Sequence, residues 1–256
     1  MKVFARNLMG SSLGLILFTA APSFATVVGD LYTGGTGTVT VTSSGITFTE
    51  NNTEGGGSTA VGVGTTVTFS GGSLTPGDPI DIAGGTTITP ASLPVTDFMT
   101  FPNEPTLSVT LDSVGPGSSN TDCSGLTTGQ SCSPLIDGTI VSPIILTYTG
   151  PGTEGAAPGD VGTTALLTVS GTASDGTTPD STFNGHFSAS LADETPQQLA
   201  DLFNTPDGAS FTTTYAGAFT VTSPSAVPEP RTISVVAIAG LLMGLVVAKR
   251  RKNAEA

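Results

Sequence analysis

From Val39 to Val221 the apolar residues fall two apart, in short runs cut off by Gly, Pro, Asp and Asn. The runs are Val39 and Val41; Ile46 and Phe48; Val67 and Phe69; Leu107, Val109 and Leu111; and Ile140 to Tyr148. They continue with Ala165, Leu167 and Val169; Phe183, Phe187, Ala189 and Leu191; Phe211 to Tyr215; and Phe219 with Val221. A period of two sends successive side chains to opposite faces, so each run reads as a strand with one face on a core. Threonine fills many intervening positions, where a β-branched polar residue suits the exposed face. Pro143 interrupts its run and marks an edge strand or a bulge there. About nine short strands with no long helical pattern predict an all-β fold, an antiparallel β-sandwich of jelly-roll or immunoglobulin-like kind.

One helix stands apart from this pattern. Thr195-Pro196-Gln197-Gln198 supplies a capping hydroxyl, a proline at the first helical position and a glutamine at the third. Leu199, Leu202 and Phe203 then share one face, so a short helix should cover an edge or end of the sandwich. Asn51 to Ser58 and Asp112 to Ser133 read as exposed loops. Inside the second loop lie Cys123 and Cys132, the only two cysteines. In an exported chain two cysteines this close most simply form one disulfide closing a surface loop; a metal pair is the rival reading.

The charges divide the chain sharply. No Lys or Arg occurs between Thr26 and Pro230, whereas every one of the 20 acidic residues except Glu255 lies in that stretch. Nothing there neutralises phosphate, so nucleic acid is excluded as a partner. Lys2 and Arg6 precede a largely apolar stretch, Leu8 to Thr19, and Ser23-Phe24-Ala25 presents small residues where a signal peptidase reads. This predicts a secretory leader over 1–25, cut between Ala25 and Thr26. At the other end Ile233 to Ala248 carries one polar side chain, Ser234, and is followed by Lys249, Arg250, Arg251 and Lys252. At ~1.5 Å per residue this helix would reach roughly 24 Å against a ~30 Å hydrocarbon core. Arg231 and Lys249 add the missing reach by extending into the head groups. Gly240 and Gly244 have the spacing of a helix-pairing motif. The expected organisation is a signal helix over 1–25, an exported β domain over 26–222, a linker over 223–230 and a C-terminal transmembrane helix with a basic stop-transfer tail over 231–256.

Chemistry is sparse in the exported stretch. The single histidine, His186, sits inside an apparent strand with no Gly-x-Ser-x-Gly elbow and no second histidine. Asp193 and Glu194 are adjacent at a strand end and face apart, which does not suit a glycosidase pair. The reading is therefore a non-enzyme without a cofactor or metal. Asp78, Asp137, Asp160, Asp175 and Asp207 stand beside Gly or Pro in loops, either as calcium ligands or as turn residues bonding their own backbone. None has the spacing of a calcium loop, which favours the turn reading. Leu93-Pro94-Val95-Thr96-Asp97 is too far from the apolar tail for a sortase signal, and Asn51-Asn52-Thr53 is a glycosylation-type triplet of little weight. Thr36-Gly37-Thr38-Val39-Thr40 is the start of a hydroxyl array, or simply an exposed strand face.

Val227-Pro228-Glu229-Pro230, the apolar run and the Lys249 to Lys252 cluster together resemble a PEP-CTERM sorting signal. That family belongs to exported proteins of Gram-negative and related bacteria, often those making extracellular polysaccharide. The resemblance covers about thirty residues and implies recognition of Pro228-Glu229-Pro230 by an exosortase, a transpeptidase-like membrane enzyme that removes the tail. It also implies export across the inner membrane, transient anchoring, and then a place on the cell surface or in a biofilm matrix. Tails of this kind occur on some ice-binding proteins too, which describes the tail and not a ligand. The expected role is structural or adhesive, with signal peptidase, exosortase, the membrane and extracellular polysaccharide as partners. The alternative is a binding module for carbohydrate, calcium or ice.

Overall fold

The computed structural model describes residues 27–35, 37–48, 59–82, 85–151, 161–177, 179–205 and 208–224. The leader with Ala25 and Thr26, the Val227 to Pro230 motif, the apolar run and the basic cluster fall outside these residues, as do Asn51 to Thr53, Asp160 and Asp207. Among the described residues no helix is long and apolar enough to cross a membrane.

In chain order the strands are β1 (Gly29–Gly35), β2 (Thr38–Thr42), β3 (Gly45–Phe48), β4 (Thr59–Val61), β5 (Thr68–Phe69) and β6 (Gly72–Ser73). Next come β7 (Pro79–Ile82), β8 (Thr87–Ile88), β9 (Val95–Thr100), β10 (Ser108–Val114), β11 (Ser131–Cys132), β12 (Leu135–Ile136) and β13 (Ile140–Val141). The last are β14 (Ile144–Tyr148), β15 (Gly162–Ser174), β16 (Ser181–Ala192) and β17 (Phe211–Thr222), with helix α1 (Pro196–Phe203) between the final two. The protein is thus mostly β with one short helix.

The expected two-sheet sandwich is replaced by one sheet that closes on itself. From β15 the hydrogen-bonded neighbours run β10, β9, β7, β4, β1, β17, β16 and back to β15, an antiparallel barrel of eight strands. Closure follows from strand length. β15, β16 and β17 have 13, 12 and 12 residues and outlast their partners, so outer edges are shared end to end. β10 takes the Val169–Ser174 end of β15 and β14 takes Thr163–Leu167. Likewise β1 takes Gly217–Val221 of β17, while β2 takes Phe211–Thr214. Below the ring the three long strands therefore continue into an open sheet ordered β11-β14-β15-β16-β17-β2-β3-β8. Its two wings meet where the Ser142 hydroxyl donates to the Ser43 carbonyl.

A barrel wall this tightly coiled needs close backbone approach. A Cβ on Gly171 would collide with the Thr110 carbonyl oxygen, beside the register shift between Leu111 and Ser113. A bulge opposite a glycine lets β10 bend around β15 without a side chain in the way. Inside, alternate residues of the long strands meet in an aromatic cluster. The Phe48 ring lies edge-on to Phe98, Phe187 and Tyr215 at centroid distances of 5.3, 5.1 and 5.1 Å. Phe183 stacks on Phe219 at 4.7 Å, and each of these five phenylalanines is 2 % exposed or less. Edge-to-face and offset rings add to the apolar area they bury, and this is the interior that β3, β9, β16 and β17 share.

The runs read from sequence become strands with altered limits. Phe211 to Tyr215 and Phe219 to Val221 are one strand, β17. The Ile140 run breaks at Ser142-Pro143 into β13 and β14, and β13 pairs with β12 in a separate hairpin. The loop expected from Asp112 starts later, because β10 runs to Val114. β1, β4, β7 and β9 correspond to no run in the sequence. Glycines in β1, Pro79 at the head of β7 and Asp97 within β9 hide their alternation.

Helix α1 forms where expected. The Thr195 side chain accepts from the Gln198 backbone N–H at 3.3 Å, while the Gln198 side-chain oxygen accepts from the Thr195 backbone N–H at 2.8 Å. Pro196 has no N–H to leave unpaired at this position. The buried face is Pro196, Leu199, Ala200 and Phe203, and the Phe203 ring meets Phe211 of β17 at 5.9 Å.

Candidate functional site

The barrel has two unlike poles. Gly29 of β1 pairs with Val221 of β17, so both ends of the described chain leave from one pole. α1 joins the end of β16 to the start of β17 and therefore lies at the other pole. β17, twelve residues long, runs from one pole to the other along a tilted path of roughly 37 Å at about 3.4 Å per residue.

Cys123 and Cys132 form a disulfide with a Cα–Cα distance of 5.2 Å, and both residues are buried. Thr121 to Cys123 at the mouth of the loop they close, the β12–β13 hairpin and α1 border a cleft of about 480 Å³. Asp122, Asp137 and Asp201 line it with Gln197 and Asn204. Oδ1 of Asp122 accepts the Ser124 hydroxyl at 2.7 Å and the Ser124 N–H at 2.9 Å, which hold its carboxyl below the usual carboxylate range. Gln197 Nε2 donates to Oδ1 of Asp201 at 2.7 Å, one helical turn along α1. Asp137 sits at the hairpin tip with φ 51°, and Ile140 beside it is 62 % exposed. Three carboxylates around one opening, in a stretch with no Lys or Arg, give the cleft a negative potential. Among the described residues no three His, Cys, Asp or Glu side chains converge as a metal-binding group. A recess of about 200 Å³, bordered by Leu126, Tyr148 and Pro196, adjoins the cleft through their shared lining residues Cys123 and Gln197.

The sequence marks this region only in pieces. The cysteines, the helix and Asp137 stand out in it, whereas Asp122 reads merely as a neighbour of Cys123 and Asp201 as one polar position of the helix. Asp201 stands four residues after Gln197, a spacing that places both on one helix face. That is the signal by which the sequence could have joined it to the site.

Two other singled-out carboxylates, Asp78 and Asp175, are engaged by hydrogen bonds at turns. Oδ2 of Asp78 accepts the Thr75 N–H at 2.7 Å and the Thr75 hydroxyl at 2.9 Å. These bonds, with a weaker one from Asn103, outweigh burial and lower its pKa. Asp175 is buried and accepts the Thr177 hydroxyl and N–H on Oδ1 and the Ser70 N–H on Oδ2. His186 lies half-buried on the outer face of β16, and its cross-strand neighbours in β15 and β17 are Thr168 and Ala218, neither of them a carboxylate. Asp193 follows β16 with φ 67°, its N–H bonded to the Val161 carbonyl; the Glu194 carbonyl accepts the Thr163 hydroxyl. Thr38 and Thr40 stand opposite Thr214 and Thr212 on the outer face, and the Thr40 and Thr212 hydroxyls are 3.0 Å apart.

No protein-family model, curated protein or solved structure matches the chain.

Proposed function

We propose that this chain is an exported, non-enzymatic protein of the cell surface or extracellular matrix, with a structural or adhesive role, sorted by its C-terminal tail. The observation that carries this reading is the exit of both ends of the described chain from one pole. In sequence a leader ending at Ala25 and a sorting segment at Val227 to Pro230 adjoin these two ends, so the domain joins both at the pole opposite α1 and the disulfide loop. The disulfide suits an oxidising compartment, and the absence of Lys and Arg from Thr26 to Pro230 suits a surface that keeps clear of anionic polymers and lipids. Pro228-Glu229-Pro230 is the segment an exosortase-type enzyme would read, with Lys249 to Lys252 holding the unprocessed form in place.

The test replaces Pro228, Glu229 and Pro230 by alanine and follows the chain by fractionation and mass. Full-length protein should accumulate in the membrane fraction. Unchanged processing and location would sink the sorting reading.

A further inference from the structure

The open sheet β11-β14-β15-β16-β17-β2-β3-β8 contains no Asp, Glu, Lys or Arg in any of its eight strands. Carboxylates do occur in other strands, as Asp30 in β1, Asp81 in β7, Asp97 in β9 and Asp112 in β10. Among the described strands the carboxylates thus fall outside these eight, which leaves the sheet without a charged side chain.

Register gives that face a banded character. Ser131, Thr147, Thr164 and Ser190 line up across β11, β14, β15 and β16, and the Ser131 and Thr147 hydroxyls are 2.8 Å apart. The next rung is Ile145, Leu166, Ser188 and Ala216, apolar at three of its four positions. All of these residues are exposed or partly exposed. A hydroxyl rung beside an apolar rung matches a sugar ring, whose hydroxyls lie at its edge and whose C–H groups form its faces. The strands that carry these rungs stand about 4.8 Å apart, comparable with the length of a pyranose unit. The charge pattern selects the kind of glycan: a uronic-acid polymer meets an acidic stretch with no Lys or Arg to pair, whereas a neutral chain meets none of that cost.

We propose that this face binds an uncharged polysaccharide chain lying across β11, β14, β15 and β16, its hydroxyls on the Thr147–Thr164 rung and its C–H faces over Ile145 and Leu166. The proposal rests on the reading of the chain as an exported matrix protein and names the partner.

The full chain in a non-ionic detergent would be run in native gels containing hydroxyethyl cellulose, and in parallel gels containing alginate. Slowing in the neutral glucan alone is expected. The double variant Thr164→Val, Leu166→Ser should lose about tenfold in apparent affinity, the size of one to two neutral hydrogen bonds. Thr164→Ser, which keeps the hydroxyl, and Thr172→Val on a distant rung should bind like the parent, and melting curves check that each variant is folded. The proposal falls if the parent is not slowed by hydroxyethyl cellulose. It falls equally if alginate slows it as much, or if the folded double variant binds unchanged. None of these readouts depends on tail processing, so the sorting reading stands or falls separately.

Discussion

Oδ2 of Asp175 accepts the backbone N–H of Ser70 at 3.0 Å, tying the β5–β6 turn to the turn between β15 and β16 across 105 residues of chain. Burial raises the pKa of this carboxyl, but the Thr177 hydroxyl, the Ser70 N–H and the Thr177 N–H outweigh it and bring it to about 2. A depressed folded pKa stabilises the protein above the unfolded value of about 3.9 and is lost as pH falls toward the folded one. The contribution at neutral pH is on the order of 2 kcal/mol. Asp175→Asn should therefore lower the melting temperature at pH 7 and bring it close to the parent's at pH 2. Parallel melting curves of the two proteins from pH 7 to pH 2 check this; a constant gap would refute it.

Gly171 has no room for a side chain against the Thr110 carbonyl. Gly171→Val should force β10 off β15 at the bulge and cost about 1–3 kcal/mol or more, as overpacking does. Urea denaturation gives the number. A variant as stable as the parent would mean that the barrel seam yields more easily than its geometry implies.

Phe48 ties β3 to the rings on β9, β16 and β17. Phe48→Ala leaves a cavity among side chains that cannot all collapse into it, with an expected cost of about 3–5 kcal/mol. Phe48→Leu should recover much of that loss. Equal destabilisation by both, measured by calorimetry, would point away from cavity formation.

Replacing Cys123 and Cys132 together by serine releases the loop bordering the cleft. For a loop of about ten residues the expected loss is roughly 2–3 kcal/mol, largely through the unfolded chain. Hydrogen exchange should quicken over residues 121–133 and leave the aromatic interior protected. Uniform quickening would show the clasp supports the whole barrel.

Much of the strand set is legible because burial on one face imposes a period of two. Val39, Val41, Val109, Leu167 and Phe187 all fall inside as their alternation requires. The capping box at Thr195 and the Cys123–Cys132 bridge are equally local and appear where their spacing puts them. β1 and β7 escape notice since Gly34, Gly35 and Pro79 carry little pattern, yet both are staves of the ring. In the cleft, Asp137 is readable from its Asp-Gly turn, whereas Asp122 and Asp201 join it only through the folding of three separate segments.

Pattern along the chain is enough to say which residues turn inward in most of the alternating runs, where the helix starts, which cysteines pair and how the charges divide at Arg231. Each of these depends on neighbours a few residues apart, whose contacts periodicity and spacing report. Three dimensions were needed to see that the sheet closes, that both ends of the described chain leave from one pole and that an uncharged face lies within an acidic chain. Those outcomes turn on pairings such as Gly29 with Val221. Hydrogen bonds between backbones so distant in the chain are indifferent to side-chain identity and leave no local trace.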